Sequence, residues 1–187
     1  FHRPLIWSDE LASILFLWLA VLGSALAFRR GENLRMMTLV NRLPPAAQRQ
    51  AEAIALAASL AFLAMILLPS IAHVELEAVV ITPTLEVSMT WRTLAMPVGI
   101  GLMIALALLR IANQPRREML RALALVVAVC LLLWLARPVL MGLGRLNLIV
   151  FFLVLVPLTV FAGIPIAFSF GMATFGYLAL ATRISTS

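Results

Sequence analysis

The sequence predicts an all-α integral membrane protein, a multi-span helical bundle, and three observations carry that expectation. Of its 187 residues, 64% are hydrophobic and 12% are charged, whereas soluble domains are roughly a quarter charged. The apolar residues fall into about five runs near membrane length instead of scattering. The charges gather between those runs: all 14 basic side chains are arginine, and they cluster in the connections, as the positive-inside rule expects. The formal net charge of +6 is therefore a topology signal and a match to anionic headgroups, not a nucleic-acid footprint.

The first span is Leu11 to Phe28, about 18 uncharged residues or about 27 Å of helix. Ser8 is placed to cap its start, because a serine hydroxyl accepts from an orphan N–H there. Asp9 and Glu10 follow in the first turn, facing the positive end of the helix dipole. Arg29 and Arg30 close the run, and Gly31 frees the backbone to turn. Next comes LRMMTLVNRLPP, with Leu34, Met37, Val40 and Leu43 at roughly helical spacing. It is too short to span and reads as a short interfacial amphipathic helix, or else as a tight loop. Pro44 and Pro45 suit the first turn of the second helix, where a missing N–H costs nothing.

The second span is Ala53 to Ala72, alanine-rich and suited to close helix packing. Pro69 is expected to kink or end it. The acidic segment from His73 to Arg92 reads as an ordered loop or short helix against the membrane face. The third span, Thr93 to Leu109, opens beside Trp91, an aromatic-belt residue, and carries Pro97 in its first turns. The fourth, Ala122 to Ala136, is about 15 residues and short. Snorkelling of Arg121 and Arg137 and the stretch Val139 to Leu143 extend it. The last run, Leu146 to Thr182, is about 37 residues, too long for one straight crossing. Pro157, Gly163 and Pro165 interrupt it, leaving either one kinked helix or two.

Arginine counts alternate along the connections. Arg29, Arg30, Arg35, Arg42 and Arg49 follow the first span, Arg92 stands alone in the second connection, and Arg110, Arg116, Arg117 and Arg121 fill the third. The fourth holds Arg137 and Arg145. Loops 29–49 and 110–121 are therefore expected in the cytoplasm and the Phe1 side outside it. The chain begins with Phe, which fits an internal piece of a longer protein with one further helix before Phe1.

No catalytic constellation is visible. His2 and His73 sit near interfaces, and no phosphate loop, metal-ligand spacing or nucleophile motif occurs. Cys130 lies inside an apolar run and is expected to be a small buried hydrophobe. The apolar runs hold no Asp, Glu, Lys or Arg at mid-depth, where ion pathways usually need one. Ser13, Ser24, Ser59, Thr159 and Ser169 are expected to bond helix backbone or neighbouring helices. Asp9 and Glu10 either complement the helix dipole or form a salt bridge to a partner subunit or to Arg3, which makes Arg3, Asp9 and Glu10 the candidate docking residues.

The opening stretch resembles the small membrane subunit of tripartite ATP-independent periplasmic (TRAP) transporters. The residues that carry the likeness are Pro4, Leu5, Ile6, Trp7, Ser8, Asp9 and Glu10, then Phe16, Trp18, Leu22, Gly23 and Ala27, then Arg29, Gly31, Glu32, Leu43 and Pro44. Asp9 stands where the family commonly has Glu, and Asn33 where it has His. A second stretch is similar to the start of the large membrane subunit, through Gly163, Pro165, Ile166, Ala167, Phe168 and Gly171. The resemblance implies a small-subunit scaffold domain over 1–114 that lacks its first helix, a connecting membrane helix over 115–145, and the truncated first helix region of the large subunit over 146–187.

It also implies a membrane component of a secondary-active importer of small organic anions, carboxylates or sugar acids, and no enzyme. The implied partners are the large membrane subunit, fused in the same chain, a periplasmic substrate-binding protein and the lipid bilayer. No cofactor and no metal or substrate ligand is implied within 1–187; coupling sodium ions belong to the remainder of the large subunit. The other reading is a membrane assembly or anchor subunit of another inner-membrane complex. The expected orientation is testable by thiol labelling: a cysteine introduced at Glu77 should react with an impermeant reagent from the periplasmic side, and reaction only from the cytoplasmic side would reverse the topology.

Overall fold

The computed structural model describes residues 6–31, 40–142, 144 and 146–181. Among them the chain is all-α, and four helices are long and apolar enough to cross a membrane. In chain order, α1 is Ile6–Arg30 and α2 is Pro45–Glu77. The short α3, Thr90–Thr93, leads through Leu94 into α4, Ala95–Ala112. Then come α5, Arg116–Leu135, and the one-turn α6, Arg137–Gly142. The last run resolves as two shorter apolar helices, α7 at Leu146–Phe161 and α8 at Ile166–Ala181. Helices suit this chain because hydrocarbon offers no hydrogen-bond partners, so each segment must satisfy its own backbone.

The chain divides into two compact units, residues 1–32 with 63–106 and residues 33–62 with 107–187. In the first, α1 packs on the chain that starts α4. The Trp18 indole N–H donates to the Trp91 carbonyl at 2.8 Å. Below it, Val21 lies so close to Gly99 that a Cβ there would overlap the Val21 side chain. Glycine is needed at 99 for that approach.

In the second unit, buried alanines let helices meet closely. Ala53 and Ala57 of α2 pack on Ala122 of α5, with Ile54, Met119 and Val126 around them. Ala55 and Ala58 pack with Ile164, Phe168 and Met172. Leu140, Phe151, Val156 and Ala173 form a further cluster between α6, α7 and α8. Phe151 and Tyr177 meet edge to face, with ring centroids 6.0 Å apart.

The break between α7 and α8 has a definite geometry. The Gly163 N–H donates to the Val160 carbonyl and the Ile164 N–H to the Thr159 carbonyl. This pair of bonds is a Schellman motif, which needs a left-handed residue after the helix end. Gly163 supplies it, with φ +91°. Pro165, fully buried, then opens α8, where its missing N–H costs nothing and its carbonyl accepts from the Ser169 N–H at 3.0 Å. Upstream, Ile149–Leu155 forms a π-helical stretch just before Pro157, whose ring would clash with a carbonyl four residues back in a regular α-helix.

Several boundaries differ from the sequence expectation. Ser8 does not cap α1: the helix begins at Ile6, so Ser8 lies within its first turn. Helix ends routinely shift by one or two residues from their sequence signals. Pro69 does not end α2, which continues to Glu77 and takes up the stretch from His73. Ending a helix there would leave carbonyls unpaired, a cost that grows near hydrocarbon. The fourth span is not short, because α5 includes Arg116, Arg117 and Arg121 in its first turns, for 20 residues in all. Arginines at a helix end can reach the headgroups. Cys130 is exposed, not buried, because it lies on a face of α5 that none of the described residues covers. Residues 34–39 of the expected interfacial helix lie outside the described residues.

Replacing Gly163 by alanine should lower stability by about 1–2 kcal/mol, the cost of a Cβ in the left-handed region. That Cβ would also meet Val40 Cγ2 at 3.2 Å. A drop in the thermal unfolding midpoint of the detergent-solubilised protein checks this.

Candidate functional site

The start of α1 is built around one carboxylate. Glu10 accepts hydrogen bonds from the backbone N–H groups of Thr84, at 3.1 and 3.3 Å to its two oxygens, and of Leu85, at 2.9 Å. Two consecutive N–H groups at a turn form a small anion-binding concavity. The sequence Thr82-Pro83-Thr84 makes such a turn, with proline fixing one φ and threonine hydroxyls bonding locally. The loop that presents them is ordered. Ile81 and Ser88 form an isolated antiparallel bridge. Thr82 N–H donates to the Val87 carbonyl at 2.9 Å and Met89 N–H to the Val80 carbonyl at 2.8 Å. The Thr82 hydroxyl both donates to the Val87 carbonyl and accepts from its N–H, each at 3.1 Å. Glu86 turns the chain in the left-handed region at φ 54°.

Three contacts therefore tie α1 to the segment that precedes and begins α4: Glu10 on the Thr84–Leu85 turn, Trp18 on Trp91, and Val21 on Gly99. They fall on one stripe of α1, at positions 10, 18 and 21, roughly helical multiples apart. The opposite stripe, with Leu11, Leu15, Phe16, Leu19, Leu22 and Leu26, is exposed. Unpartnered apolar surface of this kind suits a lipid or protein neighbour within the membrane.

The other sequence-selected residues distribute as follows. Trp7 and Asp9 are exposed and Ser8 is half-buried. Gly23 faces open space, with nothing within 4 Å of an added Cβ. Arg29 and Arg30 are exposed in the last turn of α1. Gly31 follows in the left-handed region at φ 74°, with its N–H donating to the Phe28 carbonyl at 3.2 Å. Gly163 and Pro165 make the α7–α8 break, away in sequence and in a different unit from Glu10. Arg3 and Glu32 lie outside the described residues. Ser13, Ser24, Ser59 and Thr159 bond helix carbonyls of their own turn, as the sequence suggests. The buried Ser169 hydroxyl has no hydrogen-bond partner among the described residues.

Two features had no sequence signal. Arg49 of α2 donates to Glu118 of α5 at 3.2 Å, and the other oxygen of that carboxylate is buried without a hydrogen bond among the described residues. Asn147 at the start of α7 is buried and donates to the Leu140 carbonyl at 2.6 Å. Among the described residues, no group of three His, Cys, Asp or Glu could hold a metal ion.

Long apolar helices joined by arginine-bearing connections define a multi-pass membrane protein. Residues 1–117 match the family described as tripartite ATP-independent periplasmic transporters, DctQ component, and the chain belongs to that family of transporter membrane subunits, which are not enzymes. It is similar to the sialic acid TRAP transporter small permease protein SiaQ of Vibrio cholerae, 28% identical over 112 residues, 60% of this chain and 65% of that protein. A putative TRAP transporter small permease protein of Haemophilus influenzae is 40% identical over 48 residues, 26% of this chain and 30% of the relative. The sialic acid TRAP transporter permease protein SiaT of Haemophilus influenzae is 46% identical over 44 residues, 24% of this chain and 7% of that protein. The chain thus spans less than two thirds of each of these relatives.

Substituting Glu10 by glutamine keeps the shape and removes the charge, so the amides of Thr84 and Leu85 should exchange with deuterium several-fold faster. Hydrogen exchange of a peptide covering 80–89 checks this. Gly99→Leu should separate α1 from α4 and lower the unfolding midpoint.

Proposed function

We propose that this chain is a membrane component of a secondary-active TRAP transporter that imports small organic anions, carboxylates or sugar acids. The family match over residues 1–117 is the observation that carries this reading. Two of the relatives are named for sialic acid, an acidic sugar, which supports an anionic substrate. Residues 1–114 act as the scaffold that braces the transporting part. Support for a bracing role comes from α1, which is fixed to the α4 side by Glu10, Trp18 and Val21 while its opposite stripe is open to a neighbour.

In this reading a periplasmic substrate-binding protein delivers the anion, a large membrane subunit carries it, and a sodium gradient drives the step. The large subunit continues in the same chain from the α7–α8 region. The SiaT likeness supports that arrangement. The Arg29 end of α1 lies in the cytoplasm of a bacterial inner membrane, following the arginine asymmetry of the connections. The Glu10 end and the Val80–Met89 loop then face the periplasm, where Asp9, Glu10 and Arg3 border the docking face for the binding protein.

Uptake of a labelled organic acid into proteoliposomes tests the reading. Transport should need the full protein, its binding protein and an inward sodium gradient together. Removing residues 1–114 should abolish uptake while the isolated binding protein still binds its ligand. Uptake that survives that deletion would remove the scaffold role.

A further inference from the structure

The ends of α2 and α4 frame a polar cavity of about 230 Å³, lined by Glu52 and Leu56 from α2 and by Arg110, Asn113 and Gln114 from the end of α4. Its place is informative. α2 starts at Pro45, α4 finishes at Ala112 and α5 starts at Arg116, so the cavity sits where membrane helices begin and end. That is the depth of the lipid headgroups. Its volume holds several waters' worth of material at about 30 Å³ each.

The lining is unusual in carrying one charge of each sign. Arg110 and Gln114 are half-buried and Glu52 is exposed. Glu52 and Arg110 face one cavity without forming an ion pair with each other, and the ion pair beside them joins Arg49 to Glu118 instead. Arg110 offers a planar fork of donors that fits a phosphate, and the amides of Asn113 and Gln114 can add to it. One Asn113 N–H is already given to the Leu109 carbonyl at 3.2 Å. Glu52 disfavours a ligand that is only anionic, and its carboxylate is placed to accept hydrogen bonds from a cation that donates them. Leu56 supplies an apolar floor, and the neighbouring Leu108 and Leu109 of α4 are exposed for contact with hydrocarbon.

We infer that this cavity binds a zwitterionic phosphate–primary ammonium group, phosphoethanolamine, with Arg110 and Gln114 on the phosphate and Glu52 on the ammonium. The group can come from a phosphatidylethanolamine headgroup or from a free phosphoethanolamine ester. Choline headgroups fit poorly, because a quaternary ammonium has no N–H for Glu52. Glycerol headgroups fit poorly, because they bring a phosphate and no cation.

Native mass spectrometry of the full protein in detergent, with dioleoyl phosphatidylethanolamine, phosphatidylglycerol or phosphatidylcholine added in turn, tests the site. Phosphatidylethanolamine adducts should exceed the other two by roughly tenfold, the weight of one charge-assisted hydrogen bond. Arg110→Ala should lower them to the level of the others. Glu52→Gln is the decisive variant, since it changes an exposed side chain without changing its shape. It should cut phosphatidylethanolamine binding and raise phosphatidylglycerol binding, inverting their ratio. Free O-phosphoethanolamine at millimolar concentration separates the sources. Displacement of the lipid shows that the headgroup alone suffices, and failure to displace shows that the acyl chains contribute. Equal binding of all three lipids, or an unchanged ratio in Glu52→Gln, would overturn the assignment.

Discussion

Backbone amides that no helix satisfies must find an acceptor, and at Thr84 and Leu85 that acceptor is the Glu10 carboxylate. The order of the first compact unit depends on this contact. It joins the start of α1 to a turn more than seventy positions later in the chain, and so fixes the loop that enters α3 and α4. With the loop held, Trp91 can present its carbonyl to Trp18 and Gly99 can receive Val21. A charged acceptor makes stronger bonds to backbone N–H than a neutral one does. The positive end of the α1 dipole is met instead by Asp9, the acidic residue of the first turn, so the two neighbouring carboxylates divide the work, Asp9 at the helix end and Glu10 on the loop.

The second unit is ordered by a different rule. Alanines at 53, 55, 57 and 58 are all buried, and their small size lets α2 lie against α5 on one side and against the α7–α8 break on the other. Close approach of helices favours dispersion contacts, which replace the hydrophobic drive that lipid removes. Long apolar side chains are instead turned outward along α5, where Leu120, Leu131, Leu132 and Leu135 are exposed. The usual inside-out pattern of a soluble protein is reversed because the solvent here is hydrocarbon.

Much of the fold was legible because membrane helices announce themselves by length and hydropathy, and their ends by arginine, glycine and proline. Gly31 and the Gly163–Pro165 break follow directly from the need for a left-handed residue and the lack of a proline N–H. Other features were hidden for physical reasons. Pro69 reads as a helix kink or end, and it is not an end, because the local cost of a proline is outweighed when the alternative is unpaired backbone. Cys130 reads as buried, because apolar composition does not say whether a helix face meets protein or lipid. The site was legible only in part. Asp9 and Glu10 stand out at the head of α1, but no local pattern connects Glu10 to a turn so far along the chain. Arg49 and Glu118 are likewise ordinary connection charges until folding brings them together.

The α7–α8 hairpin has one more consequence, for how the chain enters the bilayer. From Leu146 to Ala181 it carries no charged side chain. A segment without charges of its own takes its direction across the bilayer from the charges around it. Among those that precede it are Arg116, Arg117 and Arg121 at the head of α5 and then Arg137 and Arg145, so the placing of this hairpin is coupled to the placing of the helix before it.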